Sequence, residues 1–296
     1  MSTRKLEFVR KTPGYAGRFF AMASPCELMV HSEDPTLARH ICETASQEAW
    51  RIEDRYSRYR NDNLVYQINN ARGTELEVDT ELALLLNFAQ TCWQLSDGAF
   101  DITSGVLRRA WHFNGGSGVP SQSTIDTLLP LIGWDKVQWD GKKLCMPTGM
   151  EIDLGGIGKE YAVDRAALLV TELSDVPILI NFGGDLRANR PPLGARAWQV
   201  GIENHAGSGT HAVLELAAGS LATSGDARRF VLKDGIRYGH VLNPHTGWPV
   251  VDAPNSVTVG RGQCIEAGLL STLALLKGAD AEVFLKEQNC VHWVYR

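Results

Sequence analysis

"EIDLGGIGKEYAVDRAALLV", Glu151 to Val170, sets three Gly, a Lys and two Asp between an apolar run and a helical repeat. The pattern predicts a strand through Leu154 that runs through Gly155-Gly156-Ile157-Gly158 straight into a helix whose first turn holds Lys159. Backbone N–H groups at such a helix start, unobstructed by side chains, form an anion cradle, and a Lys there adds a point charge. The stretch matches neither the dinucleotide fingerprint GxGxxG nor the P-loop, because Glu160 follows Lys159 where the P-loop needs Ser or Thr. The same glycines also suit plain close packing of a helix on a strand.

Working outward, "CELMVHS" reads as a strand, and "DPTLARHICETASQEAWRIEDRYSRY" as a long helix with an acidic, Pro-marked start. A short helix, a Gly-bearing turn and a second amphipathic helix follow, closed by Asp97-Gly98. "FNGGSGVPSQSTIDTLLPLIG" reads as a surface loop ending in a short helix. "KVQWDGKKLCMP" and "EIDLGG" read as a hairpin with Asp140-Gly141 at its turn. From Pro177 the pattern is β-rich, and one last helix, "CIEAGLLSTLALLKGADAEVFLKEQ", precedes the strand "CVHWVYR". With no repeats or heptads, residues 1–296 read as one α/β body.

Composition narrows the chemistry. An apolar fraction of 44% and a charged fraction of 21% describe an ordinary globular protein, and a net charge of -5 argues against a nucleic-acid partner, which needs a concentrated basic face. The six cysteines show no CxxC pair or zinc-ligand spacing, so they read as reduced, buried thiols in a reducing compartment. No run approaches the roughly 18 apolar residues of a membrane span, and the first residues carry no apolar signal core. The expectation is a cytoplasmic protein with no membrane partner.

Other stretches carry candidate chemistry. "ILINFGGDLRANR" ends a buried strand in Gly183-Gly184-Asp185, and "SLATSGDARRF" reads as a strand followed by the loop Thr223-Ser224-Gly225-Asp226. In "GHVLNPHTGWPV", His240 falls at a strand end, where a general base is fixed by its backbone, whereas His245 lies inside a turn and reads as exposed. Ser271 and Thr272 sit within an apolar helix, where hydroxyls ordinarily bond back to the preceding turn. Taken separately, these pieces say only that the chain is an anion-binding α/β enzyme.

Together, "YSRYRNDNLVYQIN", "DGAFDIT", "IDLGGIGKEYAVD", "INFGGDLRA", "ATSGD", "HVLNPHTGWPV" and "STLALLKG" resemble, in order and across nearly the whole chain, the FAD:protein FMN transferase family called ApbE. The resemblance implies a mixed α+β, two-lobed body with an antiparallel sheet and flanking helices. It implies cleavage of FAD and transfer of FMN to a Thr or Ser of an acceptor flavoprotein, with release of AMP and dependence on Mg²⁺. By the same resemblance Asp153 and Lys159 contact FAD, Ala99, Phe100 and Asp101 match the nucleotide-contacting "AFD", and Leu242 lines the flavin pocket. The Gly156 carbonyl and Thr272 match magnesium ligands, and His240 matches the family's base.

Three positions depart from the family pattern. The family's magnesium-ligand Asp, four residues before the Thr, is Gly268 here; Glu160 replaces a Gly after the Lys, and Asn243 replaces an Asp. Losing a carboxylate should weaken a hard-cation site. Glu266, two residues before Gly268, points roughly the opposite way on a helix, which leaves Glu160, Asp185 and Asp226 as possible replacements. Glu160 is equally suited to disfavouring a nearby phosphate. Two further readings use the same residues: an FAD-binding protein without turnover, and an FAD pyrophosphatase giving FMN and AMP. Without a lipoprotein signal, the expected acceptor is a soluble reductase.

Overall fold

Alternation of buried and partly exposed residues opens the chain. Glu7–Lys11 (β1), Gly14–Ala21 (β2) and Ser24–Val30 (β3) form an antiparallel meander in which Cys26, Leu28 and Val30 face the core. The structure, a computed structural model, describes residues 4–113, 116, 118–203, 210–225 and 230–296. Asp34 starts α1 (Pro35–Tyr56) by accepting from the Thr36 and Leu37 amides at 2.8 and 3.2 Å, which is the helix start that the Asp-Pro pair predicts. Asn63 caps α2 (Leu64–Asn69) in the same way, and after β4 (Leu76–Glu77) Asp79 caps α3 (Thr80–Leu95). A 3-10 helix over Ile102–Arg109 and α4 (Gln122–Leu128) follow.

Next come the hairpin β5 (Gln138–Trp139) and β6 (Lys143–Cys145), then α5 (Gly158–Leu173), β7 (Ile178–Phe182) and β8 (Asp185–Ala188). β9 (Trp198–Glu203), β10 (Thr210–Leu216), β11 (Gly219–Gly225), β12 (Phe230–Lys233), β13 (Ile236–Gly239) and β14 (Ser256–Arg261) complete the β-rich half. The chain closes with α6 (Cys264–Leu276), α7 (Ala281–Glu287) and β15 (Val291–Tyr295).

Eight strands make one sheet in the order β1-β2-β3-β7-β8-β11-β14-β15, with every neighbouring pair antiparallel. Helices α1, α5 and α6 cover one face. There Ile178, Ile180 and Phe182 of β7 join Ala162, Ala166, Ala267 and Ala274 in the main core, and the alanines let the helices lie close. On the other face Leu179, Leu186 and Leu221 pack against Trp198, Val200, Leu214 and Leu216 of the β9–β10 hairpin. Because β7 is covered on both sides, it reads as an apolar run broken only at Asn181. A third cluster gathers Val106, Leu107, Trp111, Ile125 and Leu128, with Tyr238, Leu242 and Trp248 against it.

Three expectations change. "EIDL" is not a strand: Asn69 pairs both ways with the Ile152 backbone at 2.8 and 3.0 Å, and Asp153 N–H donates to the Ile102 carbonyl at 2.8 Å. These contacts replace a strand neighbour, and β6 pairs instead with β4. Thr223, Ser224 and Gly225 lie inside β11, paired with Thr258, Val257 and Ser256, whereas Asp226 lies outside the described residues, as do 114, 115 and 117 of the expected surface loop. The last helix breaks at Gly278, which adopts φ +58° with a virtual Cβ only 2.7 Å from the Val251 carbonyl oxygen, so only glycine fits.

Polar contacts tie the helices together. Glu81 on α3 accepts from Arg51 Nη2 at 2.6 Å, Tyr56 Oη at 2.8 Å and Tyr161 Oη at 2.9 Å, joining α1, α3 and α5. Arg51 chiefly, with both tyrosines, holds its carboxyl at about 2, against an ordinary 4.5. A depressed carboxyl stabilises the fold above its unfolded value and loses that contribution as pH falls through the folded one. Glu81→Gln is therefore expected to be less stable than the parent at pH 7, with the gap in thermal midpoint closing as pH falls from 4.5 towards 2. Phe182, fully buried and edge-on to Phe19 at 5.5 Å, should cost about 3–5 kcal/mol when cut to Ala, read as a shift in the urea midpoint.

Candidate active site

The start of α5 gathers residues from several elements. Gly158 N–H donates to the Leu154 carbonyl at 2.7 Å, and the Ile157 N-cap offers no side-chain acceptor. Just before it, Asp153 accepts from Gly155 N–H at 2.9 Å and pairs with Arg58 Nη1 at 3.0 Å. Arg58 also donates to the Gly105 carbonyl at 3.1 Å, and a virtual Cβ on Gly105 would sit 2.8 Å from Asp153 Cβ, so glycine lets the two segments close. Phe100 is buried with its ring 3.4 Å from a virtual Cβ on Gly156. Ala99 follows the turn at Asp97-Gly98. The Asp101 carboxylate is engaged internally, accepting from Thr103 N–H, Thr103 Oγ1 and Trp134 N–H at 2.8, 2.6 and 3.0 Å.

Lys159 turns toward the sheet. Its ammonium lies 2.8 Å from Asp185 Oδ2, an ion pair without hydrogen-bond alignment, and 3.4 Å from the Gly183 carbonyl oxygen. Burial opposes the charge, but Asp185 and Glu160 outweigh it and hold the ammonium at about 12. Glu160, the next residue, reaches the other way, onto α6. A virtual Cβ on Gly268 would stand 2.5 Å from Glu160 Cγ and 2.8 Å from its Oε1, so the Glu160 side chain fills the space that a side chain at 268 would occupy. Burial first, then the Asp185 charge, raises the Glu160 carboxyl. Glu266 is exposed and takes no part.

The same helix pair brings in hydroxyls. Asp164 caps α6, accepting from Cys264 and Ile265 N–H at 2.9 and 3.0 Å, and it also pairs with Arg187 of β8. On α6, Ser271 Oγ donates to the Gly268 carbonyl at 2.9 Å, while Ser224 Oγ of β11 lies 2.7 Å from Ser271 Oγ and 2.9 Å from Thr272 Oγ1.

His240 directly follows β13, with Phe113 edge-on at 6.3 Å. Leu242 bridges to Pro249 and packs on the third cluster. The turn between them is fixed by Trp111 Nε1 donating to the Gly247 carbonyl at 2.9 Å and Trp248 Nε1 donating to Gln122 Oε1 at 2.9 Å. A cavity of about 160 Å³ is lined by Gly239 and Val241, the chain neighbours of His240, and by Gly225 of β11.

The ApbE family model matches residues 22–293. The chain belongs to the ApbE family. It is similar to the ApbE protein of Thermotoga maritima, with 30% identity and a TM-score of 0.85 over 98% of this chain and 94% of that one. The flavinyl transferase ApbE of Pseudomonas stutzeri, in its apo form, gives 26% identity and a TM-score of 0.80 over 99% and 92%. The FAD:protein FMN transferase of Haemophilus influenzae is 27% identical over 252 residues, 80% of this chain and 72% of that one.

Within this ApbE chain the fold brings Asp153 to Arg58 and Gly105, Phe100 to Gly156, Lys159 to Asp185, and Thr272 to Ser224. Sequence reasoning did not single out Arg58, the partner of Asp153. An Arg in a loop between two helices carries no signal of its own. The oxygen donors suit a hard cation such as Mg²⁺: two buried carboxylates, a run of hydroxyls, and Glu160 Oε2 buried with no hydrogen-bond partner. Among the described residues no three His, Cys, Asp or Glu side chains gather at metal-ligand spacing, so such a site would lean on hydroxyl and carbonyl oxygen and on water. Lys159→Met leaves Asp185, 1% exposed, without its cation. It should cost on the order of 3 kcal/mol, measured by denaturant unfolding.

Proposed function

We propose that the chain is an FAD:protein FMN transferase, which cuts FAD at its pyrophosphate and joins the FMN phosphoryl to a Thr or Ser hydroxyl of an acceptor flavoprotein. The observation that carries this reading is the family match across residues 22–293, and the presence of Asp153, Lys159, His240 and Thr272 within it supports the assignment of roles. A bond forms between the acceptor oxygen and the FMN phosphorus, the bond to the bridging oxygen breaks, and AMP leaves. His240 takes the proton of the incoming hydroxyl. Asp153 and Lys159 hold the FAD, Ala99, Phe100 and Asp101 line the nucleotide, and Leu242 lies against the flavin. The Gly156 carbonyl and Thr272 would hold Mg²⁺, which when bound offsets charge on the phosphoryl oxygens.

Among the described residues no helix is long and apolar enough to cross a membrane. All six cysteines are free thiols, as a reducing compartment keeps them, and on this reading the compartment is the cytoplasm and the acceptor a soluble reductase. Incubation with FAD, MgCl₂ and a flavoprotein domain bearing the acceptor Thr should add one FMN to that domain by intact mass and release AMP. His240→Ala should slow the transfer by about 10²–10⁴-fold. An unmodified acceptor, where a family relative modifies the same domain in parallel, would reject the reading.

A further inference from the structure

If both buried carboxyls are ionised, charge does not balance between α5 and α6. Glu160 is 7% exposed and Asp185 is 1% exposed, and both lie close enough to Lys159 to hold its ammonium in the charged form. One cation faces two carboxylates there. Asp164 does not share that cation, because it is taken by Arg187 and by the Cys264 and Ile265 amides. Buried polar atoms are almost always satisfied, yet Glu160 Oε2 has no hydrogen-bond partner. An ionised carboxylate left so costs several kcal/mol unless a counter-charge meets it.

The location of that carboxylate is specific. Glu160 lies on Gly268 so closely that any side chain there would collide with its Cγ, so glycine at 268 is what admits it. One turn further along α6, on the same face, is Thr272, whose hydroxyl meets Ser224. The Gly268 carbonyl itself accepts from Ser271. The orphaned Glu160 oxygen and the hydroxyls of Thr272 and Ser224 are oxygen donors, the kind that hard divalent cations select.

We infer that Glu160 is a carboxylate ligand of a divalent cation, delivered from α5 into the space that Gly268 leaves open on α6. The carboxylate that the family resemblance expects at position 268 is thereby supplied from the neighbouring helix. This extends the transferase reading and rests on it for the cation's use, but cation binding is measured without reference to FMN transfer.

Mn²⁺ serves as the probe, with free ion followed by electron paramagnetic resonance during titration of the full chain, alone and with saturating FAD. Glu160→Gln keeps the shape and removes the charge. It should weaken Mn²⁺ binding at least about 10-fold, since losing even an outer partner of a metal ligand costs that much, while the thermal midpoint without metal holds or rises. The double variant Glu160→Gly with Gly268→Asp moves the carboxylate back to α6 and should restore affinity to within a few-fold of the parent. Mn²⁺ affinity unchanged in Glu160→Gln would overturn the inference and leave Glu160 as a protonated, structural acid. So would a double variant that binds no better than Glu160→Gln, or a parent that binds no Mn²⁺ in either titration. Glu160-dependent binding in a protein that transfers no FMN would sustain this inference and reject the transferase reading instead.

Discussion

The close approach of α5 to α6 over the antiparallel sheet is the constraint on which the site depends. Three residues of α5 reach outward from it: Lys159 to Asp185 at the start of β8, Glu160 to Gly268, and Asp164 to the first amides of α6. Glu160 and Asp164 are four apart and so share one face of the helix, the face turned to α6. Small residues make that approach possible, since Ala162, Ala166, Ala267 and Ala274 are all buried in the shared core. A bulkier seam would separate the helices and scatter the carboxylates, hydroxyls and ammonium that now meet.

Much of the fold was legible because its signals are local. Asp34, Asn63 and Asp79 each cap the helix they precede, and the Asp140-Gly141 pair makes its hairpin turn with Gly141 at φ +95°. The misread stretches were decided by distant partners. The alternation of Ile152 and Leu154 in "EIDL" reads as a strand, but Asn69 and Ile102 claim its backbone. The Thr223-Ser224-Gly225 stretch has the composition of a turn, yet pairing with β14 carries it through as strand. Helical periodicity runs through Gly278 without a sign of the left-handed break that the Val251 carbonyl requires.

The site was legible in part for a different reason: the order of its motifs resembled a family, and the family match covers them. What the resemblance could not supply was geometry. Gly268 alone reads as a loss and Glu160 alone as an oddity, and only the packing of two helices far apart in sequence shows that one fills the space of the other. Asp101 teaches the converse lesson. It sits in a stretch that resembles the family's nucleotide-contacting motif, yet its carboxylate is engaged in fixing the Ile102–Arg109 helix and the Trp134 amide.

His240 is held at both ends. Upstream is the β12–β13 ribbon, in which Phe230 pairs with Gly239; downstream is the turn at Asn243, locked by the Trp111 and Trp248 indoles. Only residues 240–242 span the two anchors, so the imidazole hangs from a backbone with few conformations open to it. Ordering a flexible segment on association costs affinity. With so short a span, little of that entropy would be left to lose if, as proposed, an acceptor hydroxyl docks at His240, and more of the docking energy would remain for aligning it.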